Sequence, residues 1–137
     1  MLYFIIIVVT LIWGVNGILD RKALVTGHPL EVNFIGTLAM ITVALVYLAI
    51  AKWHNIPLSF HRNTVMFAAL NGVLVPTAYV IFLYALSRGA LTTVVTITAA
   101  YPIVTYILAV IFLNEPITAS KLAGIAIVVI GMLIFIK

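Results

Sequence analysis

The sequence predicts an all-α integral membrane protein with five transmembrane helices. Hydrophobic residues make up 66% of the chain, charged residues make up 7%, and the mean hydropathy is +1.34. A bilayer core about 30 Å thick needs about 20 helical residues to cross it. Five apolar stretches match that length, and every Lys, Arg, Asp and Glu lies near or between their ends: about 2–19, 30–51, 64–86, 91–113 and 119–136. We therefore expect one transmembrane domain over residues 1–137.

The residue types present argue against an enzyme, a metalloprotein and a nucleic-acid-binding protein. The chain has no Cys, and its His residues (His28, His54, His61) fall in separate predicted loops. Seven Lys and Arg residues are spread over the loops and ends and form no basic patch. The continuous apolar runs also lack the alternation of a membrane β-barrel. We expect no catalytic residues, no metal site and no cofactor.

The first stretch carries two residues that are unusual in lipid. It has no basic leader and no cleavage site, so we expect a retained helix rather than a signal peptide. Asn16 lies about three residues inside the apolar limit, where an amide needs a partner or a wet cavity. Trp13 lies about nine residues from the charged end, which is deep for an interfacial aromatic. Both residues are candidates for lining a substrate cavity.

The second and third stretches each contain one position with a structural alternative. Glu31 lies near the start of the second, where helix capping is favoured over a place at a cavity mouth. In the third, Gly72, Pro76 and Tyr79 share a helical face at spacings i, i+4 and i+7. Pro76 removes a helix hydrogen bond, so it predicts either a hinge or a static kink that improves packing. Tyr79 is a candidate substrate contact.

The fourth stretch is the most polar of the five. Thr98, Tyr101 and Thr105 share a face at i, i+3 and i+7, with Pro102 beside them as a second candidate hinge. A membrane Thr often only returns a hydrogen bond to its own helix, or lets two helices approach closely. Three polar groups on one face next to a proline nevertheless favour a substrate-binding stripe.

The fifth stretch is predicted to pack against another helix, at a dimer interface. Gly124 and Gly131 are seven residues apart and share a face, and small residues let helix backbones come close. No Asp, Glu, Lys, Arg or His lies in the middle third of any stretch. The uncharged Trp, Tyr, Thr and Asn side chains are therefore the candidate site.

The Lys and Arg residues give almost no orientation signal. Three lie on one predicted membrane side and four on the other: Lys52, Arg62 and Lys121 against Arg21, Lys22, Arg88 and Lys137. An excess on one side normally orients a membrane protein. The near balance has two readings, which are chance in a small protein or insertion in both orientations as an antiparallel pair. Inverted repeats of that kind build many transporters.

Several motifs together resemble the EamA domain of the drug/metabolite transporter superfamily. Residues 84–90 read YALSRGA, residues 101–118 read YPIVTYILAVIFLNEPIT, and Lys121, Gly124 and Gly131 follow. Trp13-Gly14 also matches, so the resemblance covers nearly the whole chain. Most members carry two such domains in inverted orientation, with ten helices. The resemblance implies a half-size, five-helix member in which a homodimer rebuilds the ten-helix architecture.

The resemblance also implies a function. In the family, the first, third and fourth helices of each half line the central cavity, which corresponds here to the candidates named above: Trp13, Asn16, Pro76, Tyr79, Thr98, Tyr101 and Thr105. We expect a multi-pass transporter of the cell inner membrane. It would move small polar or amphipathic metabolites, amino-acid-like compounds or drugs, by alternating access as an antiparallel homodimer. The alternatives are a lipid-carrier flippase and a non-transporting accessory or assembly subunit.

Overall fold

The computed structural model describes residues 1–136, and Lys137 of the predicted charge balance lies outside the described residues. The chain forms two compact units, Met1–Arg88 and the part from Gly89 onward. The first unit contains three helices, α1 (Leu2–Ala23), α2 (Pro29–Trp53) and α3 (Arg62–Arg88). The second contains α4 (Leu91–Thr98), α5 (Tyr101–Leu113) and α6 (Ala119–Ile136). Residues 1–136 contain no strand, which confirms the all-α class.

The helices have the length and the surface of membrane spans. α1, α2, α3 and the stretch Leu91–Leu113 are each long and apolar enough to cross a bilayer, and α6 is a shorter apolar helix. Among the described residues, the only fully buried apolar side chains are Leu83 and Leu86. Apolar surface exposed on this scale needs a cover of lipid or protein. The five predicted apolar segments and the membrane fold are confirmed.

The helix α1 runs one turn further than the sequence predicted. The predicted end was residue 19, whereas the helix continues to Ala23, so that Asp20 lies inside its last turn. Basic residues there complement the negative end of the helix dipole. The following turn needs a glycine, because a Cβ on Gly27 would lie 2.9 Å from the Ala23 carbonyl oxygen.

The start of α2 is capped by its own side chains. His28 Nδ1 accepts a hydrogen bond from the Leu30 amide at 3.3 Å. Glu31 Oε2 accepts one from the His28 amide at 3.4 Å. These bonds satisfy amides that a helix N-terminus leaves without partners. The structure therefore shows the capping role that the sequence favoured for Glu31.

The helix α3 continues without interruption through Pro76. Proline has no N–H, so the Gly72 carbonyl cannot accept the usual bond from residue 76. In the same turn, the Thr77 hydroxyl donates to the Val73 carbonyl at 2.7 Å. This side-chain bond supports the turn that the proline weakens. A hinge at Pro76 stays a prediction.

The fourth predicted helix is interrupted. α4 ends at Thr98 and α5 begins at Tyr101, with Ala99 and Ala100 in a turn between them. Pro102 offers no N–H to the Thr98 carbonyl, so a helical bond is lost at the break. The chain tightens there: the amides of Ala100 and Ile103 each bond a carbonyl three residues back, at 3.1 and 3.0 Å. Local proline chemistry thus divides an apolar run that periodicity alone presents as continuous.

A left-handed residue and an ion pair shape the connection from α5 to α6. α5 ends at Asn114, whose φ of 53° is left-handed, a conformation that Asn adopts more readily than most residues. Lys121 Nζ lies 2.8 Å from Glu115 Oε2 across the turn, with both side chains partly exposed. α6 then contacts α4 within this unit. The Glu115 carboxylate is therefore paired with Lys121 in this connection.

Candidate functional site

A buried carboxylate links α1 to α3. Asp20 is only 5% exposed and is the buried charged residue among those described. The Tyr79 hydroxyl donates to Asp20 Oδ1 at 2.5 Å, and Asn16 Nδ2 donates to Oδ2 at 3.4 Å. Each carboxylate oxygen thus accepts a bond from a neutral side chain. We call Asn16, Asp20 and Tyr79 the Asp20 trio.

The trio follows from helix geometry and from one tertiary contact. Asn16 and Asp20 are four residues apart in α1 and therefore lie on the same face. Tyr79 comes from α3, which contacts α1 in the same unit. A carboxylate taken out of water costs free energy unless hydrogen bonds replace its hydration. Tyr79 and Asn16 supply those bonds, so the α1–α3 contact can accommodate the charge.

Two further contacts hold the helices together at this end of the unit. The Arg21 guanidinium donates to the Leu86 carbonyl at 2.7 Å. That carbonyl lies in the last turn of α3, where helix carbonyls lack partners. His28 Nε2 and the Tyr84 hydroxyl oxygen are 3.4 Å apart, and their rings meet edge to face with centroids 5.5 Å apart. All three helices of the unit are thereby tied together near Asp20.

An open cleft along α1 reaches the trio. Its volume is about 310 Å³, and Asn16 is the polar member of its lining, the others being Leu11, Ile12, Val15 and Leu19. Asn16 thus takes part in both the cleft wall and the bond to Asp20. All five lining residues belong to α1, so the cleft is an open groove on one face of this helix. This arrangement can hold an apolar group and orient a polar one.

Two of the sequence-predicted site residues meet, and a third lies nearby on the helix. Asn16 and Tyr79 are joined through Asp20, and the Tyr79 ring also stacks on Phe82 with centroids 6.3 Å apart. Trp13 lies about one turn before Asn16 in α1 and is 62% exposed. The structure therefore gives Asn16 and Tyr79 a common partner that was not among the candidates.

The candidates of the fourth stretch lie in the second unit. The Thr98 hydroxyl donates to the Val94 carbonyl at 2.8 Å, and the Thr105 hydroxyl donates to the Tyr101 carbonyl at 3.2 Å. Tyr101 is 53% exposed. Because the helix breaks after Thr98, the continuous spacing used to place Thr98 and Tyr101 on one face does not apply across the break. Substrate contact by these residues stays a prediction.

Sequence reasoning missed four polar groups that the structure brings out. Asp20 follows directly after the first apolar stretch, like the other charged residues near the stretch ends, although its four-residue spacing from Asn16 was a signal. Three shielded oxygen atoms have no hydrogen-bond partner within residues 1–136: Asn33 Oδ1, Thr37 Oγ1 and Tyr106 Oη. Asn33 and Thr37 are also four residues apart, in the apolar helix α2. Paired polar residues at helical spacing were the signal for Asp20 and for Asn33 with Thr37, whereas no such pair marks Tyr106.

Comparison with known proteins agrees with the membrane fold. The chain is 26% identical over 132 residues to an uncharacterized protein of Methanocaldococcus jannaschii, covering 93% of this chain and 90% of the relative. No solved structure matches the chain significantly. The sequence profile of the EamA-like transporter family matches residues 1–137. The chain is therefore a single EamA domain and belongs to the EamA-like transporter family.

Proposed function

We propose that this membrane protein transports small polar or amphipathic metabolites, such as amino-acid-like compounds or drugs, by alternating access. The observation that carries the proposal is the Asp20 trio beside an apolar cleft. Asn16 joins the cleft wall to the buried carboxylate. A buried carboxylate at a contact between apolar helices costs free energy, which favours a functional role. An amphipathic compound would place its apolar part in the cleft and its polar part at the trio.

The other candidate residues have supporting roles in this proposal. The Trp13 and Tyr101 rings supply contact area, and Thr98 and Thr105 supply orienting hydrogen bonds. Their hydroxyls now bond their own helix, so a substrate would share or replace those bonds. Alternating access also needs elements that change shape. Pro76 in α3 and Pro102 at the interruption are the proposed hinges, and discontinuous helices are common at transporter sites.

We further propose an antiparallel homodimer in the cell inner membrane. A single EamA domain is half of the ten-helix arrangement that the resemblance implies, and three Lys/Arg residues against four permit insertion in both orientations. Two glycines of α6 support a close helix contact. A Cβ added at Gly124 or Gly131 would meet no atom within 4 Å in the single chain. A second copy is the proposed neighbour of that face.

A thermal-shift screen of the purified protein tests the transport proposal. The compounds are L-amino acids, nucleosides, quaternary amines and polyamines, because a compound that binds the folded state raises its melting temperature. We expect at least one class to stabilise the protein. We expect Trp13→Ala and Tyr79→Phe each to lower the affinity for that compound by about tenfold, which reduces its stabilising effect. The reason is that a lost hydrogen bond or aromatic contact is worth about 1–2 kcal/mol.

Matched controls come from two aromatic residues of α2, Tyr47 and Trp53. Trp53→Ala and Tyr47→Phe alter side chains that are 85% and 67% exposed and that the proposal leaves out of the site. These variants should bind as the wild type does. If Trp13→Ala and Trp53→Ala weakened compound binding equally, the proposed site would be contradicted. Proteoliposome flux of a stabilising compound then separates a transporter from a subunit that only binds.

A lipid-carrier flippase is the second candidate, and one observation favours it. A second cleft of about 310 Å³ lies between α5 and α6 and is lined by eight mainly apolar residues: Ile103, Tyr106, Ile107, Val110, Ile111, Ile117, Leu122 and Ile125. An apolar cleft of that kind suits an acyl chain. Accelerated transbilayer movement of a fluorescent lipid in proteoliposomes, without flux of any compound above, would favour the flippase.

A further inference from the structure

We propose that Asp20 is a proton-binding site, and that its protonation frees the Tyr79 hydroxyl for a polar group of the substrate. Proton and substrate would then bind together rather than in exchange. The substrate half of this proposal rests on the proposed transport function. The proton half concerns the protein alone.

The first step is the position of the carboxylate. Asp20 is 5% exposed in the last turn of α1, and it bonds Tyr79 of α3, the helix that contacts α1 in this unit. Within residues 1–136, its side-chain partners are Tyr79 and Asn16, and both are neutral donors. No cation neutralises it there by a direct contact. A buried acid with neutral partners can exist either as an anion held by donors or as the neutral acid.

The second step is the choice of a proton over a metal ion. A metal cation needs several oxygen ligands arranged around it. The two side chains that touch Asp20 present hydrogens to it, and these hydrogens would have to turn away before a metal could approach. A proton needs one oxygen lone pair. The arrangement therefore fits a single proton.

The third step concerns the other titratable groups at this end of the unit. On α1 they are Arg21 and Lys22, on α3 they are Tyr84 and Arg88, and at the start of α2 they are His28 and Glu31. Arg21 donates to the Leu86 carbonyl, His28 contacts Tyr84, and Glu31 accepts from the His28 amide. Lys22 and Arg88 are exposed, so water screens their charges. Proton binding at this site is thus assigned to Asp20.

The fourth step is the link to substrate. In the anionic form, the single hydroxyl hydrogen of Tyr79 is donated to Asp20 Oδ1. When a proton from water adds to the carboxylate, the product is a neutral acid. The charge-assisted bond becomes a neutral one of about half the strength. A polar substrate group then competes more easily for the Tyr79 hydroxyl. By reciprocity, substrate that takes this hydroxyl favours the protonated acid.

The chain allows a direct test of the proton half, because Asp20 is its single Asp. Protein labelled with carbon-13 at the Asp carboxyl and held in lipid nanodiscs gives one carboxyl signal. We expect that signal to move between two plateaus on titration from about pH 4 to about pH 10, a range that spans shifted carboxyl groups. Tyr79→Phe should displace the midpoint by about one pH unit, the size expected for a lost charge-assisted bond.

The matched control for that displacement is Tyr84→Phe. Tyr84 lies on the same helix, and its hydroxyl contacts His28 instead of Asp20. It should leave the midpoint within a few tenths of a pH unit. A signal that stays constant over the whole range would overturn the proton site. Equal displacement by both variants would overturn the role of Tyr79.

The substrate half is tested by repeating the compound screen one pH unit below and above the measured midpoint. In the wild type, we expect amino acids, nucleosides, amines or polyamines that bind to stabilise the protein more at the lower pH. In Asp20→Asn, the two pH values should give equal stabilisation. Stronger binding at the higher pH in the wild type contradicts joint binding. Binding of no compound at either pH contradicts the transport proposal and joint binding, and the carbon-13 titration decides the proton site by itself.

Discussion

At the scale of single residues, threonine hydroxyls divide into satisfied and unsatisfied groups. The hydroxyls of five threonines donate to the carbonyl four residues before them: Thr10, Thr42, Thr77, Thr98 and Thr105. This bond is what a hydroxyl needs inside lipid. Thr37 differs, because its shielded Oγ1 has no partner within residues 1–136. A shielded hydroxyl without a hydrogen-bond partner either lowers the stability of the fold or forms a bond with a bound ligand.

Replacing that hydroxyl should stabilise the protein. Thr37→Val keeps the shape of the side chain and removes the unpaired polar atom. We expect the free energy of unfolding to rise by about 1 kcal/mol, since an unsatisfied shielded hydroxyl costs about 1–3 kcal/mol. Thermal unfolding in detergent micelles would record this as an increase in melting temperature.

Thr42→Val is the matched control for Thr37→Val on the same helix. The Thr42 hydroxyl donates to the Leu38 carbonyl at 3.0 Å. Its removal deletes a bond that exists, so stability should fall or stay level. A loss of stability in Thr37→Val as large as that in Thr42→Val would mean that the Thr37 hydroxyl has a partner.

At the scale of elements, two prolines have different consequences. Pro76 lies in the middle of α3, and the helix continues through it. Pro102 is the second residue of α5, and the helix is broken just before it. The residues before Pro102 take a tight turn with bonds to carbonyls three residues back. In α3, the Thr77 hydroxyl adds a bond to the weakened turn. The same chemistry thus yields either a supported helix or an interruption.

Pro102→Ala should join α4 and α5 into one helix. The new amide can donate to the Thr98 carbonyl, which a proline at 102 cannot serve. We expect this bond to slow amide hydrogen exchange at Tyr101 and Ile103 by about tenfold, which corresponds to about 1.4 kcal/mol of added local protection. If the interruption is a hinge, flux should fall in the same variant.

Pro76→Ala provides the comparison. α3 is already continuous there, so exchange at the neighbouring Thr77 amide should change much less. Faster or unchanged exchange around residue 101 in Pro102→Ala would show that the turn is held by contacts other than the missing proline hydrogen bond.

At the scale of the whole molecule, the chain leaves its apolar surface to the surroundings. None of the residues in the apolar windows of the four candidate spans is buried. Lipid covers such surface without cost, so apolar burial alone gives two copies no reason to associate in a bilayer. Close backbone packing at small residues does, which makes the glycines of α6 the proposed contact between two copies.

Gly131→Leu should therefore separate the proposed homodimer. A Cβ added at Gly131 meets no atom within 4 Å in the single chain, so the fold should persist while the larger side chain blocks the contact between copies. Subunit counting by photobleaching in nanodiscs would show mainly single copies. Reporter proteins fused at the C-terminus should be active on both membrane sides if the pair is antiparallel.

Gly36→Leu is the matched control, because a Cβ at Gly36 also meets no atom within 4 Å. It should leave the copy number unchanged. A single-copy wild type, or equal copy numbers in both variants, would contradict a dimer contact at Gly131. Reporter activity confined to one side would contradict the antiparallel arrangement.

The sequence by itself determined the membrane class and the apolar segments, because hydropathy and length follow from composition along the chain. It also determined that Asn16 and Tyr79 are unusual residues, since a polar side chain in an apolar run needs no structure to be noticed. The break before Pro102 was visible only as a possible hinge. The spacing of apolar residues does not show whether a helix continues through a turn that contains a proline or is interrupted there.

Only the tertiary structure decided what those residues touch. Asp20 looks like an ordinary charge at a helix end, and its burial arises because α3 places Tyr79 against the last turn of α1. Asn16 and Tyr79 are about 60 positions apart in the chain, so no local pattern joins them. The physical reason is that a carboxylate leaves water only where donors from another helix replace its hydration. That requirement is met by packing between helices, which local periodicity does not encode.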